Sequence, residues 1–154
     1  MAEVGKLYLV STPIGNLQDI SKRALSVLTE VDEVVCEELR VGSTLMKRLG
    51  IETPITLLNE HNETDQTTIL LKSLKQGKTL ALISDAGTPV FADPGLELVR
   101  GAIRLKVSVI PVPGASSLMS ALVCSGFSLN EFHFAGFLPL SLIHISEPTR
   151  RWSI

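Results

Sequence analysis

The 154 residues carry 14 Lys and Arg against 16 Asp and Glu, a net charge of −2, with 45% hydrophobic and 19% charged residues. That balance excludes a disordered chain and gives no global pull toward nucleic acid, so any RNA partner must be met by a local basic patch. The length is that of one ordinary domain with a real core, and no window approaches the ~20 apolar residues of a membrane span, so no membrane partner is expected.

Met1 to Lys6 lacks the charged-then-apolar order of a secretory leader, which makes the cytoplasm the expected compartment. Lys6 to Thr12 is an apolar run with aromatic and β-branched residues, bounded by Pro13 and Gly15, and reads as a buried strand. Pro13 to Asp19 is then a loop, with Asp19 or Ser21 placed to cap a helix whose Ala24, Leu25, Leu28 and Val31 share one face. Val34 to Cys36 forms a brief second strand, with Glu37-Glu38-Leu39-Arg40 at its carboxyl end. Gly42-Ser43-Thr44 then precedes a helix through Leu45, Met46 and Leu49, stopped by Gly50. Arg40, Lys47 and Arg48 make a local positive cluster, read either as a solvated helix face or as a substrate contact.

Ile55 to Leu58 resembles a third strand, followed by polar Asn59 to Glu63, in which His61 is either a simple exposed side chain or a base and hydrogen-bond donor. Ile69, Leu70, Leu71 and Leu74 give an amphipathic helix over Thr64 to Lys75, with Gly77 as its stop. Thr79 to Ile83 is a fourth strand. It runs into Ser84-Asp85-Ala86-Gly87-Thr88-Pro89-Val90-Phe91-Ala92-Asp93-Pro94-Gly95, too rich in Gly and Pro for regular structure. A helix with Leu96, Leu98, Val99, Ala102 and Ile103 follows, then a strand over Val107 to Ile110 and a second Pro/Gly loop, Pro111 to Ser117. That loop opens a helix with Leu118, Ala121, Leu122 and Val123, capped by Ser116 or offering its free N–H groups to a ligand. Phe132 to Phe137 alternates as a last strand would.

This alternation predicts an α/β fold with a mainly parallel sheet and helices on both faces. Three loops at strand carboxyl ends carry Gly or Pro clusters, namely Pro13 to Asp19, Ser84 to Gly95 and Pro113 to Ser117. Three on one sheet edge predict a pocket for a small molecule. Cys36 and Cys124 sit far apart in apolar surroundings and read as reduced thiols. No Cys/His set has zinc spacing, so no metal is expected.

Ser11-Thr12-Pro13-Ile14-Gly15-Asn16-Leu17 with Asp19, Ser84-Asp85-Ala86-Gly87-Thr88-Pro89 with Asp93-Pro94-Gly95, Pro113-Gly114-Ala115-Ser116 and Gly136-Phe137-Leu138-Pro139 occur in one order. Together they resemble the ribosomal RNA small subunit methyltransferase I family, within the tetrapyrrole (corrin/porphyrin) methylase superfamily. The resemblance implies the N-terminal domain of an S-adenosylmethionine-dependent enzyme that methylates the 2′-hydroxyl of a cytidine in small-subunit rRNA. It also implies a homodimer of two-domain subunits, with the cofactor between the domains. Carried onto this sequence, the cofactor wall comprises Pro13, Asp85, Gly87, Thr88, Phe91, Ala92, Ser116 and Ser117, and the candidate substrate contacts are Asn16, Arg40 and His61. Asp85, Glu37, Glu38 or His61 could assist removal of the hydroxyl proton, and the base stays unassigned among them.

The likeness runs to Pro139, so the expected organisation is a domain over 1–139 followed by a non-family tail, 140–154, read either as of cloning or sequencing origin or as a genuine short tail packed on the sheet edge. On that reading the family's second domain is missing and the chain alone is expected to be inactive. Two alternatives stay open. One is a methylase of small tetrapyrrole precursors, against which Thr88 stands between Gly87 and Pro89 in place of an acidic residue. The other is a structural or dimerisation module that binds no cofactor.

Overall fold

The computed structural model describes residues 4–91 and 93–136. In chain order they form β1 (Lys6–Val10), α1 (Lys22–Glu30), β2 (Glu33–Cys36), α2 (Leu39–Leu49), β3 (Ile55–Leu57), α3 (Glu63–Lys75), β4 (Leu80–Ile83), α4 (Leu96–Arg104), β5 (Ser108–Val112) and α5 (Ser117–Cys124). All the strand pairs are parallel and the sheet order is β3-β2-β4-β1-β5. The α/β alternation of the sequence is realised as expected.

Side-chain alternation along the strands divides the core in two. Val10, Val34, Cys36, Ala81 and Ile83 point to one face, where Ala24 and Leu28 of α1 and Met46 of α2 cover them. Leu7, Val35, Leu80 and Leu82 point to the other, against Leu70 and Leu74 of α3 and Leu98 and Ala102 of α4. β4 is buried along its whole length, as a strand covered on both faces must be, and its Leu-Ala-Leu-Ile run carries no polar residue. Each fully buried leucine here contributes roughly 1.5–3 kcal/mol by leaving water.

The helix positions also set where a ligand can enter. The chain leaves β1 toward α1 on one face and leaves its neighbour β4 toward α4 on the other. The two connections diverge and open a crevice beyond the strands' carboxyl ends.

Three local expectations are corrected. α2 begins at Leu39 and takes Gly42 into its interior. The Glu38 side chain caps it by accepting from the Arg40 N–H, and Gly42 lies so close to β2 that a Cβ there would sit 2.8 Å from the Cys36 Sγ. β5 runs on through Pro111 to Val112, pairing Pro111 with Leu9, which an edge strand tolerates. Residues 132–136 take no strand conformation, and Phe137 lies outside the described residues. Ser21, not Asp19, caps α1, its Oγ accepting from the Ala24 N–H at 3.0 Å. No described helix is long and apolar enough to cross a membrane. The described Cys, His, Asp and Glu residues form no group able to hold a metal ion.

Candidate functional site

The loops after β1, β4 and β5 are bonded into one unit. Thr12 and Gly87 exchange backbone hydrogen bonds, the Thr12 N–H donating to the Gly87 carbonyl at 2.8 Å and the Gly87 N–H to the Thr12 carbonyl at 3.1 Å. Thr12 Oγ1, fully buried, donates to the Ser84 carbonyl at 3.1 Å. Ser11 Oγ and Thr88 Oγ1 lie 3.0 Å apart, and Thr88 Oγ1 reaches on to the Ala115 carbonyl at 3.4 Å. Gly87 is required at this junction. Its φ of 90° is one that side chains rarely adopt, and a Cβ would stand 3.4 Å from Ile14 Cγ2. Three residues on, Val90 holds a φ of 72°, strained for a β-branched residue and kept there by packing on the α3/α4 core. The far end of the loop is tied down by Glu63 of α3, whose Oε1 accepts from the Gly95 N–H at 2.9 Å.

Two hollows flank this stitched segment. The first, of about 760 Å³, lies between the β1 loop and α2 and is lined by Thr12, Pro13, Gly15, Glu38, Arg40, Thr44, Arg48 and Asp85. The second, of about 700 Å³, lies between the β4 loop and the start of α5, with Thr88, Phe91, Asp93, Ser116, Ser117 and Phe134 on its walls. Phe91 and Phe134 pack against each other on its wall, their ring centres 4.4 Å apart. The first hollow sets charged side chains beside Leu17, Val41 and Leu45, and the second sets rings and hydroxyls beside Leu118, Met119 and Ala121.

Acidic groups crowd the carboxyl ends of β2 and β4. Partial burial pushes the Asp85 carboxyl above the ordinary carboxylate range. The charges of Glu38 and Asp93 add to that rise, and a backbone hydrogen bond from Glu38 opposes it. Glu37 is raised in the same way, first by burial and then by Asp93, Asp85, Glu60 and Glu38. Below them the Cys36 thiol is pushed up to about 11 by burial, with Asp85 and Glu38 adding to it.

The sequence-predicted residues divide between the hollows. Pro13, Asp85 and Arg40 line the first; Thr88, Phe91, Ser116 and Ser117 line the second, and Gly87 sits in the junction between them. Ala92 lies outside the described residues. Asn16 lines neither hollow and accepts from the Gln18 N–H to cap a 3-10 turn over Leu17–Asp19. His61 is highly exposed, 3.7 Å from Glu60, and lines neither hollow. Of the four candidate bases, Asp85 and Glu38 face a hollow, while Glu37 and His61 do not. Sequence reasoning missed Thr44 and Phe134. Thr44 was legible only once α2 starts at Leu39, which puts Arg40, Thr44 and Arg48 at i, i+4 and i+8 on one face. Phe134 had no local signal, because its partner lies in a distant loop.

A sequence model of the family described as Tetrapyrrole (Corrin/Porphyrin) Methylases matches residues 6–151. The chain belongs to that family. Among curated relatives of this methylase, it is 50% identical over 137 residues to a protein named Ribosomal RNA small subunit methyltransferase I from Leptospira biflexa, covering 88% of this chain and 57% of the relative. A protein of the same name from Haemophilus influenzae is 47% identical over 135 residues, covering 88% of this chain and 48% of the relative. The methylase chain thus spans about half the length of these curated relatives. Among solved structures, the uroporphyrin-III-C-methyltransferase from Thermus thermophilus matches with a TM-score of 0.60 at 24% identity, over 82% of this chain and 55% of that one. At that identity the likeness shows the fold alone, and it agrees with the parallel sheet described above.

Proposed function

We propose that this methylase chain contributes the cofactor side of an S-adenosylmethionine-dependent enzyme that methylates the 2′-hydroxyl of a cytidine in small-subunit rRNA. The observation that carries the proposal is the pair of hollows on either side of one stitched loop, which gives two ligands separate seats with a shared boundary. The name borne by relatives about half identical to this chain supports rRNA as the substrate.

The second hollow fits the cofactor by the chemistry of its walls. The rings of Phe91 and Phe134 suit a flat purine, and the hydroxyls of Thr88 and Ser117 suit ribose hydroxyls or a carboxylate, while the Ser116 Oγ accepts from the Met119 N–H and caps α5. Gly87 leaves the backbone bare at the boundary, where an added Cβ would stand 3.8 Å from the Ala115 carbonyl. S-adenosylmethionine, when bound, supplies an electrophilic methyl group. The chain's own task is to orient the ribose hydroxyl, exclude water and take the hydroxyl proton. Asp85, on the rim of the first hollow and raised in pKa by partial burial, is the carboxylate we assign as acceptor of that proton. The apolar side chains left exposed at the end of α5 and after it, Val123 and Phe127, support assembly with a second subunit as a homodimer, and the reading places the enzyme in the cytoplasm, where ribosomal subunits are made.

Calorimetric titration of the chain with S-adenosylhomocysteine tests the reading, with a methylation assay on small ribosomal subunits as its complement. Binding is expected, and Thr88→Val and Ser117→Ala should weaken it. An absence of binding heat would favour a module without cofactor. Binding of a tetrapyrrole polycarboxylate together with no binding of a cytidine-centred RNA oligonucleotide would favour the tetrapyrrole reading.

A further inference from the structure

The wall of the first hollow formed by α2 is not used by the chemistry above. Arg40, Thr44 and Arg48 lie at i, i+4 and i+8 of one helix, so their side chains form a single stripe. All three line the hollow, and all three are exposed. Asp85 and Glu38 line the same hollow, yet among the described residues neither arginine lies within salt-bridge distance of a carboxylate. The guanidinium groups are thus free to meet an anion.

We infer that Arg40 and Arg48 hold two different phosphates of one RNA strand, so that the first hollow seats the nucleotide to be methylated. This rests on the methyltransferase reading above and deepens it. Eight residues of helix place the two arginines about 12 Å apart along the axis, a spacing at which each can meet its own phosphate of one strand. A guanidinium presents its donors as a fork that matches phosphate oxygens, which makes arginine suited to this role. Thr44, between the two, offers a hydroxyl whose present partner is the Arg40 carbonyl, at 2.7 Å.

The mixed charge of the hollow argues for a nucleotide over a polycarboxylate. Asp85 and Glu38 would repel a ligand ringed with carboxylates. They can accept from the hydroxyls of a ribose or from the exocyclic amine of a cytosine while the arginines hold the backbone. A placement of Arg48 only to complement the helix C-terminus would explain Lys47 equally well. Lys47 lies on another hollow, with Ser43 and Ile51, and serves as the internal control.

The test measures binding of a single-stranded, cytidine-centred RNA oligonucleotide to the full chain by fluorescence anisotropy, between about 50 and 200 mM salt. Each phosphate contact on a single strand adds about 0.7 to the slope of log affinity against log salt, so the Arg40→Ala/Arg48→Ala double variant should lower the slope by about 1.4. Affinity at the low-salt end should fall on the order of ten- to a hundredfold. Arg40→Lys/Arg48→Lys should keep the slope while losing part of the affinity, and Lys47→Ala should leave both unchanged. The heat of S-adenosylhomocysteine binding should be the same in all variants, which shows that each is folded. An unchanged slope in the double alanine variant would overturn the inference, as would an equal loss from Lys47→Ala or salt-independent binding by the unsubstituted chain. A chain that binds RNA with the expected slopes but gives no heat with S-adenosylhomocysteine would sink the cofactor reading and leave the phosphate assignment standing.

Discussion

Replacing Thr12 by Val removes a hydroxyl and keeps the shape of the side chain, at the point where the β1 and β4 loops meet. Two hydrogen bonds depend on that hydroxyl, to the Ser84 carbonyl at 3.1 Å and to the Gly87 carbonyl at 3.4 Å. The longer one is weak by geometry, and Gly87 keeps its backbone bond from the Thr12 N–H. The cost is therefore that of one buried carbonyl deprived of a donor, about 2 kcal/mol within a range of about 1–3. For a domain of this size each kcal/mol shifts Tm by roughly 2–4 °C, so a fall of about 4–8 °C is expected in a thermal unfolding scan. Because the bond holds the strained loop carrying Thr88 and Phe91, affinity for S-adenosylhomocysteine should fall as well. Thr12→Ser keeps the hydroxyl and loses a methyl group, so it should cost stability of about 1 kcal/mol with affinity retained. If Thr12→Val melted no lower than Thr12→Ser and bound the ligand as tightly as the unsubstituted chain, the stitched loop would not be what shapes the site.

Asp85→Asn should separate stability from activity. The folded Asp85 carboxyl has a raised pKa, so between its ordinary and its raised value the folded state binds the extra proton and stability declines as pH rises. At neutral pH the asparagine variant should therefore melt above the parent, and the same substitution at the matching position of a full-length relative should abolish methylation, with kcat/KM of the unsubstituted relative falling as pH drops through the raised value; a variant that melts lower and keeps its rate would remove Asp85 from the proposed role. The two thiols should differ sharply. Cys124 is exposed and should react with a thiol reagent in the folded protein, whereas Cys36 is buried, with a pKa of about 11, and should react only after denaturation. Equal reaction of both thiols in the folded protein would contradict the packing of Cys36 under Gly42.

Much of this architecture is legible because single segments carry it. The Leu-Ala-Leu-Ile run of β4 and the apolar faces of α1 and α4 are local patterns, and burial rewards the same residues that the pattern selects. The loops were legible for the same reason, since Gly87 and Pro89 forbid regular structure by themselves. What stayed hidden depends on contacts between segments. Gly42 reads as a helix boundary, yet it lies inside α2 because β2 passes too close for any larger residue. Pro111 reads as a strand end, and pairing with Leu9 carries the strand past it. The site divides along the same line. Its loops were visible in sequence, but the split into two hollows, which sets Arg40 and Asp85 apart from Thr88 and Ser116, follows from where α2 and α5 pack.

The net charge of −2 would argue against an RNA partner if charge acted as a total. It does not, because at physiological ionic strength exposed charges are screened beyond about 8 Å. What an approaching strand meets is therefore the local pattern. At the carboxyl ends of β2 and β4, Glu38 and Asp93 lie near enough to Glu37 and Asp85 to add to the rise in those two groups' pKa values, so that region repels phosphate. The α2 stripe borders it with two guanidinium groups that no described carboxylate neutralises. On the proposed reading a strand lies with its backbone on the helix and its sugar edge toward the acids. An acidic floor beside a basic wall weakens indiscriminate binding and fixes which part of the nucleotide faces Asp85. The modest net charge is thus compatible with such a site, since a uniformly basic surface would hold RNA tightly without presenting a hydroxyl to a base.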